Sequence, residues 1–354
     1  MEHISYFFKK ILFIFACLGI IFSTNADKVV HDWSSKPYGV YCLGQPIYDI
    51  VYKFNTEAEL KEHLKPLNIN IGENKLITSA EISKILNTSP PPYYKGAGGG
   101  ASNTAMGLAA AGEKVLLAGV VNNDELGDLY KKELKKYNVA TNLAIEGGDG
   151  GTGAVIVMIA PDTERTMMVY PGVSQRIDKV KIDMNVLSQY KVFLSEGYFW
   201  HRPGNDRIVL DILKQAKSLN TKTAFSFGDR YIVEKYKKDF LLMLNDIDVI
   251  FSNKEQILAL FSTADLDKAI QELQKFNCIT TITMAKDGVL IVTKDQVIKL
   301  DAMKVENVVD TTGAGDQFAA GFLRGYLNNM SLKESGQLGI QEASNIIQRV
   351  GGHP

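Results

Sequence analysis

From Tyr38 onward, short apolar runs alternate with longer stretches whose apolar residues recur at helical spacing. A short apolar run suits a buried strand and a longer amphipathic stretch suits a helix. Alternation of the two along most of a chain is the pattern of strands joined by crossover helices, an α/β fold on a mainly parallel sheet. The spacing predicts strands over 39–43, 115–121, 154–160, 192–194, 222–227, 249–252 and 280–284. It predicts helices over 101–111, 127–136, 207–218, 232–244 and 266–276. No internal repeat interrupts this rhythm.

Two regions depart from it. Residues 48–95 hold two short helix-like segments, 58–64 and 79–86, followed by Ser89 and the prolines Pro90, Pro91 and Pro92, and read as an insertion outside the main sheet. Residues 147–172 combine a glycine-rich turn, strand-like sequence and the hairpin-like stretch Pro161-Asp162-Thr163-Glu164. The expected organisation is a main domain over 38–354 with a small lid formed by segments near 48–97 and 147–172.

Lysine and arginine number 39 against 40 aspartates and glutamates, and no long block of like charge stands out. That balance gives no electrostatic footprint for nucleic acid, so the expected partner is a small molecule. The three cysteines, Cys17, Cys42 and Cys278, are far apart and show no CxxC spacing, which points to neither a zinc site nor a disulfide framework. Lys9 and Lys10 precede an uncharged run from Ile11 to Ala26, with Thr24 and Ala26 as small residues at its end. Residues 1–26 therefore resemble a secretory signal peptide. The apolar core of the run is too short for a comfortable membrane span. The alternative is an extension with no targeting role.

The richest chemistry lies in Asp310-Thr311-Thr312-Gly313-Ala314-Gly315-Asp316-Gln317-Phe318. Phe318, Phe322, Leu323 and Tyr326 then recur at helical spacing, so a helix starts at about Gly313 to Gly315. The first turn of a helix leaves backbone N–H groups without internal partners and carries the positive end of the helix dipole, which suits an anion. Asp316 in that turn is placed to accept the proton of a hydroxyl attacking a phosphoryl group. The competing reading is a helix cap and a tight turn alone.

The longer string, Asp-Thr-Thr-Gly-Ala-Gly-Asp followed by Phe, Ala and Gly, resembles the second signature of the PfkB (ribokinase-like) carbohydrate kinase family. The resemblance implies Asp316 as catalytic base and Gly313, Ala314 and Gly315 as an anion hole. Matches extend across nearly the whole chain from Val40. Gly98-Gly99-Gly100-Ala101-Ser102-Asn103 is similar to the family's first, glycine-rich signature, which implies that Gly99, Gly100 and Asn103 meet the acceptor. Close helix packing would also account for that stretch. Gly44-Gln45-Pro46-Ile47-Tyr48-Asp49 resembles the opening of adenosine-kinase-like members, with Asp49 on the vicinal hydroxyls and Gln45 and Pro46 in place of the usual pair. Arg165, in the segment 161–167, resembles a lid residue, while its side chain by itself reads as an exposed hairpin group. Ser195-Glu196-Gly197-Tyr198 and Phe225-Ser226-Phe227-Gly228-Asp229 resemble later stretches of the same branch.

The fold implied is a three-layer α/β/α sandwich with a small β lid. ATP, as co-substrate, would meet Asn253, Thr283, Gly288 and Thr311, and Mg²⁺ would be held indirectly near Asn253 and Glu255. Two nucleotide-side positions depart from the family. Gln256 stands where a carboxylate is usual, and a neutral amide offers magnesium no charge. Ala285 stands where glycine is common: alanine adds strain if the backbone there needs a positive φ, and the competing reading is a turn that tolerates alanine. The implied activity is phosphorylation of the hydroxymethyl group of a nucleoside or furanose sugar, adenosine first. The alternatives are a ribose- or fructose-type sugar kinase and a catalytically weak nucleoside- or sugar-binding protein. A homodimer stays open, as does location: the leader suggests export and the family resemblance suggests the cytoplasm.

Overall fold

The computed structural model describes residues 31–354 apart from Asp149 and Thr163, so the leader at 1–26 and Cys17 lie outside the described residues. In chain order the strands are β1 (Tyr38–Leu43), β2 (Ile47–Lys53), β3 (Asn74–Leu76), β4 (Tyr94–Gly98), β5 (Val115–Asn122), β6 (Ala140–Glu146), β7 (Gly153–Ile159), β8 (Arg165–Tyr170), β9 (Tyr190–Glu196), β10 (Lys222–Ser226), β11 (Val249–Asn253), β12 (Ile279–Thr283), β13 (Val289–Val292) and β14 (Val297–Leu300). They form a nine-stranded sheet in the order β14-β13-β12-β11-β10-β9-β1-β5-β6 and a five-stranded sheet in the order β3-β8-β7-β2-β4.

From β6 to β12 every pairing in the large sheet is parallel, and β13 and β14 close its other edge as antiparallel strands. Parallel strands need crossovers, and the helices that supply them cover both faces. Alternation along β1 shows the division: Val40 and Cys42 pack with the helices Gly100–Ala110, Ala314–Leu327 and Leu332–Ile346, whereas Tyr41 and Leu43 pack into the opposite layer with Asn205–Ser218 and Arg230–Met243. Cys42 and Cys278 are buried free thiols. Helix starts follow local chemistry, as in the reciprocal capping boxes of Thr78 with Glu81 and Ser331 with Glu334. Among the described residues no helix is long and apolar enough to cross a membrane.

The five-stranded sheet arises from the two regions that break the α/β rhythm. The chain leaves the large sheet after β1, builds β2, β3 and β4, returns through Gly98 to Gly100, and leaves again for β7 and β8. Both helix-like segments of 48–95 are helices, at Glu57–Leu64 and Ser79–Thr88, and their Leu60, Leu64, Ile82 and Ile85 pack with Tyr52, Ile156 and Met168 of the small sheet. The strands β2, β3 and β4 that flank and separate these helices carry too little periodicity to be read locally. β4 is Tyr-Lys-Gly-Ala-Gly, and its extended form comes from pairing with β2. β6 and β14 escaped the pattern for the same reason, being polar edge strands without a continuous apolar run.

At the opposite end of β9 from its carboxyl terminus, Lys36 is 5% exposed and its Nζ donates to the Ser188 and Leu219 carbonyls and to Thr221 Oγ1. Replacing Lys36 with methionine keeps the volume and strips three acceptors of their donor. We expect Lys36→Met to lower unfolding free energy by about 1–3 kcal/mol in chemical denaturation. An unchanged midpoint would show that water satisfies the same carbonyls.

Candidate active site

The carboxyl ends of parallel strands and the two crossings between sheets converge on one cleft, the region where open α/β sheets bind ligands. The helix Ala314–Leu327 starts there. Its N-cap, Gly313, has a left-handed backbone (φ 73°) and offers no side-chain cap. The Ala314 amide is drawn back to the Thr311 carbonyl at 3.2 Å, whereas those of Gly313, Gly315 and Asp316 have no partner among the described residues. The free donors of this turn are thus Gly313, Gly315 and Asp316 rather than the Gly313–Ala314–Gly315 set the sequence suggests.

Asp316 points at the glycine-rich segment. Its Oδ2 accepts from Asn103 Nδ2 at 2.9 Å, and its backbone carbonyl accepts from Thr104 Oγ1 at 3.2 Å. Asp316 keeps some exposure to the cleft yet is ringed by protein. Burial pushes its pKa up to about 6, against the opposing Asn103 hydrogen bond. Gly99 sits where the chain turns from β4 into the helix Gly100–Ala110 with φ 94°, and a Cβ there would lie 2.2 Å from the Gln45 carbonyl oxygen. Only glycine allows the two crossings to pass so closely.

Asp49, on β2, lies against Gly98, where a Cβ would come within 2.3 Å of the Asp49 Oδ2. Burial, and then the charges of Asp316 and Asp310, push it up to about 7. Asp49, Gly99, Gly100, Asn103 and Asp316 are therefore brought together. Asn103 Oδ1 and Gln45 Nε2 are buried and have no partner among the described residues. Asn253 and Thr283 are paired at the ends of β11 and β12, and Gly288 follows in the turn to β13. Thr311 is exposed beside Asp310.

The structure corrects two further readings and adds partners that local sequence did not assign. Arg165 is not a free hairpin side chain: its Nη2 meets Asp310 Oδ1 at 3.1 Å and its Nη1 meets Thr312 Oγ1 at 3.5 Å, tying the small sheet to the loop before Gly313. Asp310 also accepts from Thr312 N and Oγ1 and from Gly351 N. Burial works against its ionisation, but these donors and Arg165 outweigh burial and hold the carboxyl below its usual range. Ala285 does not occupy a turn that suits alanine; its φ is 50°, in the left-handed region where a Cβ costs about 1–2 kcal/mol.

Glu196 closes β9 within the stretch Ser195-Glu196-Gly197-Tyr198, to which local sequence assigns no role. It is 1% exposed, and its two oxygens accept from Gln45 N at 2.8 Å and Ala101 N at 2.9 Å, joining β9 to both crossings. Burial pushes it up to about 7, the two amides oppose that rise, and the Asp316 charge adds to it. A carboxylate ending an apolar run at a strand's carboxyl end was the available signal.

Gln256 is absorbed by structure. Its side-chain oxygen accepts from Asn253 N, its amide donates to the Gly228 carbonyl at 2.7 Å, and Asn253 Oδ1 caps the Gln256 amide in return. Glu255 is exposed in the same first turn. Among the described residues no cluster of three or more acidic, histidine or cysteine side chains could hold a metal. With Asn253 and Gln256 occupied by each other, this donor set does not fit a magnesium ion held directly by the protein.

The profile of the pfkB family of carbohydrate kinases matches residues 69–354. An adenosine kinase from Sinorhizobium meliloti is similar in structure, with a TM-score of 0.80 and 29% identity over 90% of this chain and 96% of that one. A protein described as an "Uncharacterized sugar kinase" of Archaeoglobus fulgidus is 26% identical over 70% of this chain and 96% of its own length. A 5-dehydro-2-deoxygluconokinase of Geobacillus kaustophilus is 25% identical over 70% of this chain and 77% of its own length. These relatives are all named as kinases, and the acceptors that their names give differ. With the match running through the glycine-rich segment, the uncapped helix and Asp316, this chain belongs to the pfkB family of carbohydrate kinases and is a kinase.

Proposed function

We propose that this kinase moves the γ-phosphoryl group of ATP to the hydroxymethyl group of a nucleoside or furanose sugar, with adenosine the first candidate. The observation that carries the reading is the Asp316 carboxylate, held by the Asn103 amide beside the free amides of an uncapped helix start. The acceptor oxygen attacks the γ-phosphorus. A new O–P bond forms while the bond from that phosphorus to the β,γ-bridging oxygen breaks, the hydroxyl proton passes to Asp316, and ADP leaves with the bond's electron pair. The amides of Gly313, Gly315 and Asp316 would receive charge developing on the phosphoryl oxygens.

Asp49 would accept from vicinal hydroxyls, and Gly99 and Gly100 would let the acceptor approach the backbone. The unpartnered Asn103 Oδ1 and Gln45 Nε2 support this, because buried polar atoms without partners are uncommon unless a ligand or water completes them. The nucleotide would run along Asn253, Thr283, Gly288 and Thr311. Any magnesium would be carried by the triphosphate oxygens. The five-stranded sheet would act as a lid, closing through Arg165 and Asp310 to exclude water.

The deciding experiment offers ATP with adenosine, other nucleosides, ribose and fructose, and measures ADP release and phosphorylated product. Turnover with adenosine supports the first reading; turnover with a sugar and no nucleoside overturns it. Thermal stabilisation by a ligand without any phosphoryl transfer would favour the binding-protein reading, which the neutral Gln256 and the strained Ala285 motivate.

The Asp316 environment also sets a pH dependence. A base works only when deprotonated, so kcat should fall as pH drops through about 6 and level off above it. A kcat that is flat from pH 5 to 8 would remove Asp316 as the titrating base.

A further inference from the structure

Gln317 follows Asp316 on the helix Ala314–Leu327, is 2% exposed, and takes no part in the chemistry above. Its Nε2 donates both protons to backbone carbonyls from distant segments: Asn103 O at 2.9 Å and Gly352 O at 2.9 Å. Each acceptor belongs to a piece of the transfer site. Asn103 holds the Asp316 carboxylate, and Gly352 packs under the Gly313 turn, where a Cβ on Gly313 would lie 2.3 Å from the Gly352 oxygen.

The surrounding glycines show how little slack the junction has. A Cβ at Gly107 would stand 2.2 Å from Gln317 Oε1, and one at Gly352 would stand 2.6 Å from Asn103 Nδ2. Methionine or leucine could fill the Gln317 position with less desolvation, but would leave the buried Gly352 carbonyl without this donor and the Asn103 carbonyl with only its helical one. A polar side chain in that position, one residue from the base, does something that packing alone would not require.

We infer that Gln317 is a positioning residue for phosphoryl transfer: by bridging Asn103 and Gly352 it fixes the Asn103–Asp316 hydrogen bond relative to the Gly313 turn. The inference rests on the kinase reading with Asp316 as base. The ionisable groups that face Asp316 are Asp49 on β2, Glu196 on β9 and the buried phenol of Tyr198 just after β9. Gln317 hydrogen-bonds to none of them. Its effect on the titration of Asp316 therefore runs through Asn103.

The test compares wild type with Gln317→Met, measuring kcat against pH, both KM values and the thermal midpoint. We expect kcat to fall by about tenfold to a hundredfold, as for a misplaced reacting group, with the KM for ATP little changed. The acid limb should move to higher pH, because weakening the Asn103 bond removes the interaction that opposes the burial shift. A lowered midpoint with kcat and acid limb both at wild-type values would overturn the inference and leave Gln317 a packing residue.

Should Gln317→Met fail to fold, Gly352→Ala tests the same junction from the other side, since its new methyl would press on the Asn103 amide. It should produce the same shift of the acid limb, and an unmoved limb there overturns the inference. Asp316→Asn keeps the two levels apart. If Asp316→Asn still turns over, the kinase reading of the base fails; if it is dead while the Gln317→Met limb stays put, only the role of Gln317 fails.

Discussion

Asp316→Asn should reduce kcat by about 10²–10⁴-fold, the range lost with a general base. Asparagine retains an oxygen to accept from Asn103 Nδ2, now at 2.9 Å, so the local geometry survives while the proton acceptor does not. The KM of the acceptor should change little. Stability supplies an independent check. Burial raises the Asp316 pKa to about 6, above the usual carboxylate range, so the folded state favours the protonated form. The contribution of that group to stability is fully present below its unfolded pKa and is lost as pH rises through about 6. The variant, with no charge to bury, should match wild type in melting temperature near pH 4 and exceed it near pH 8. Residual kcat within about tenfold of wild type would sink Asp316 as the base.

The second large effect is expected at Gly313→Ala. The residue is left-handed at φ 73°, and the new methyl would meet the Gly352 oxygen at 2.3 Å and its Cα at 2.4 Å. These are backbone atoms, and the oxygen already holds Gln317 Nε2, so no rotamer change relieves the contact. The turn must move, and with it the free amides at the helix start. Loss of a single oxyanion donor costs about 10²–10³ in kcat elsewhere, and a loss of that size is expected here. Unlike Asp316→Asn, this variant should also melt at a lower temperature. An isotope-labelled ATP assay would show transfer to acceptor falling relative to any hydrolysis; full transfer activity would mean that the turn does not bind the phosphoryl group.

Arg165 and Gln256 show where local reading stops. The sequence displays Arg165 in a polar hairpin, a setting in which an exposed side chain is the ordinary outcome. Its ion pair with Asp310 exists because the first residue of β8 comes to lie beside a loop far away in the chain. At Gln256 the missing carboxylate was visible in the sequence. That its amide bridges Asn253 and Gly228 was not, since the Gly228 carbonyl arrives from the end of another strand.

The sequence by itself determined the α/β class, through apolar periodicity, and the helix start with Asp316 in its first turn, through consecutive residues from Asp310 to Phe318. Both are encoded in short windows: periodicity selects strand or helix, and small residues ahead of an amphipathic stretch leave amide donors free. Tertiary structure decided the small sheet, the hub at Asp310, the Glu196 link and the Gln317 bridge. These depend on which distant backbone groups packing brings within hydrogen-bond reach, and a window of neighbouring residues carries no record of that.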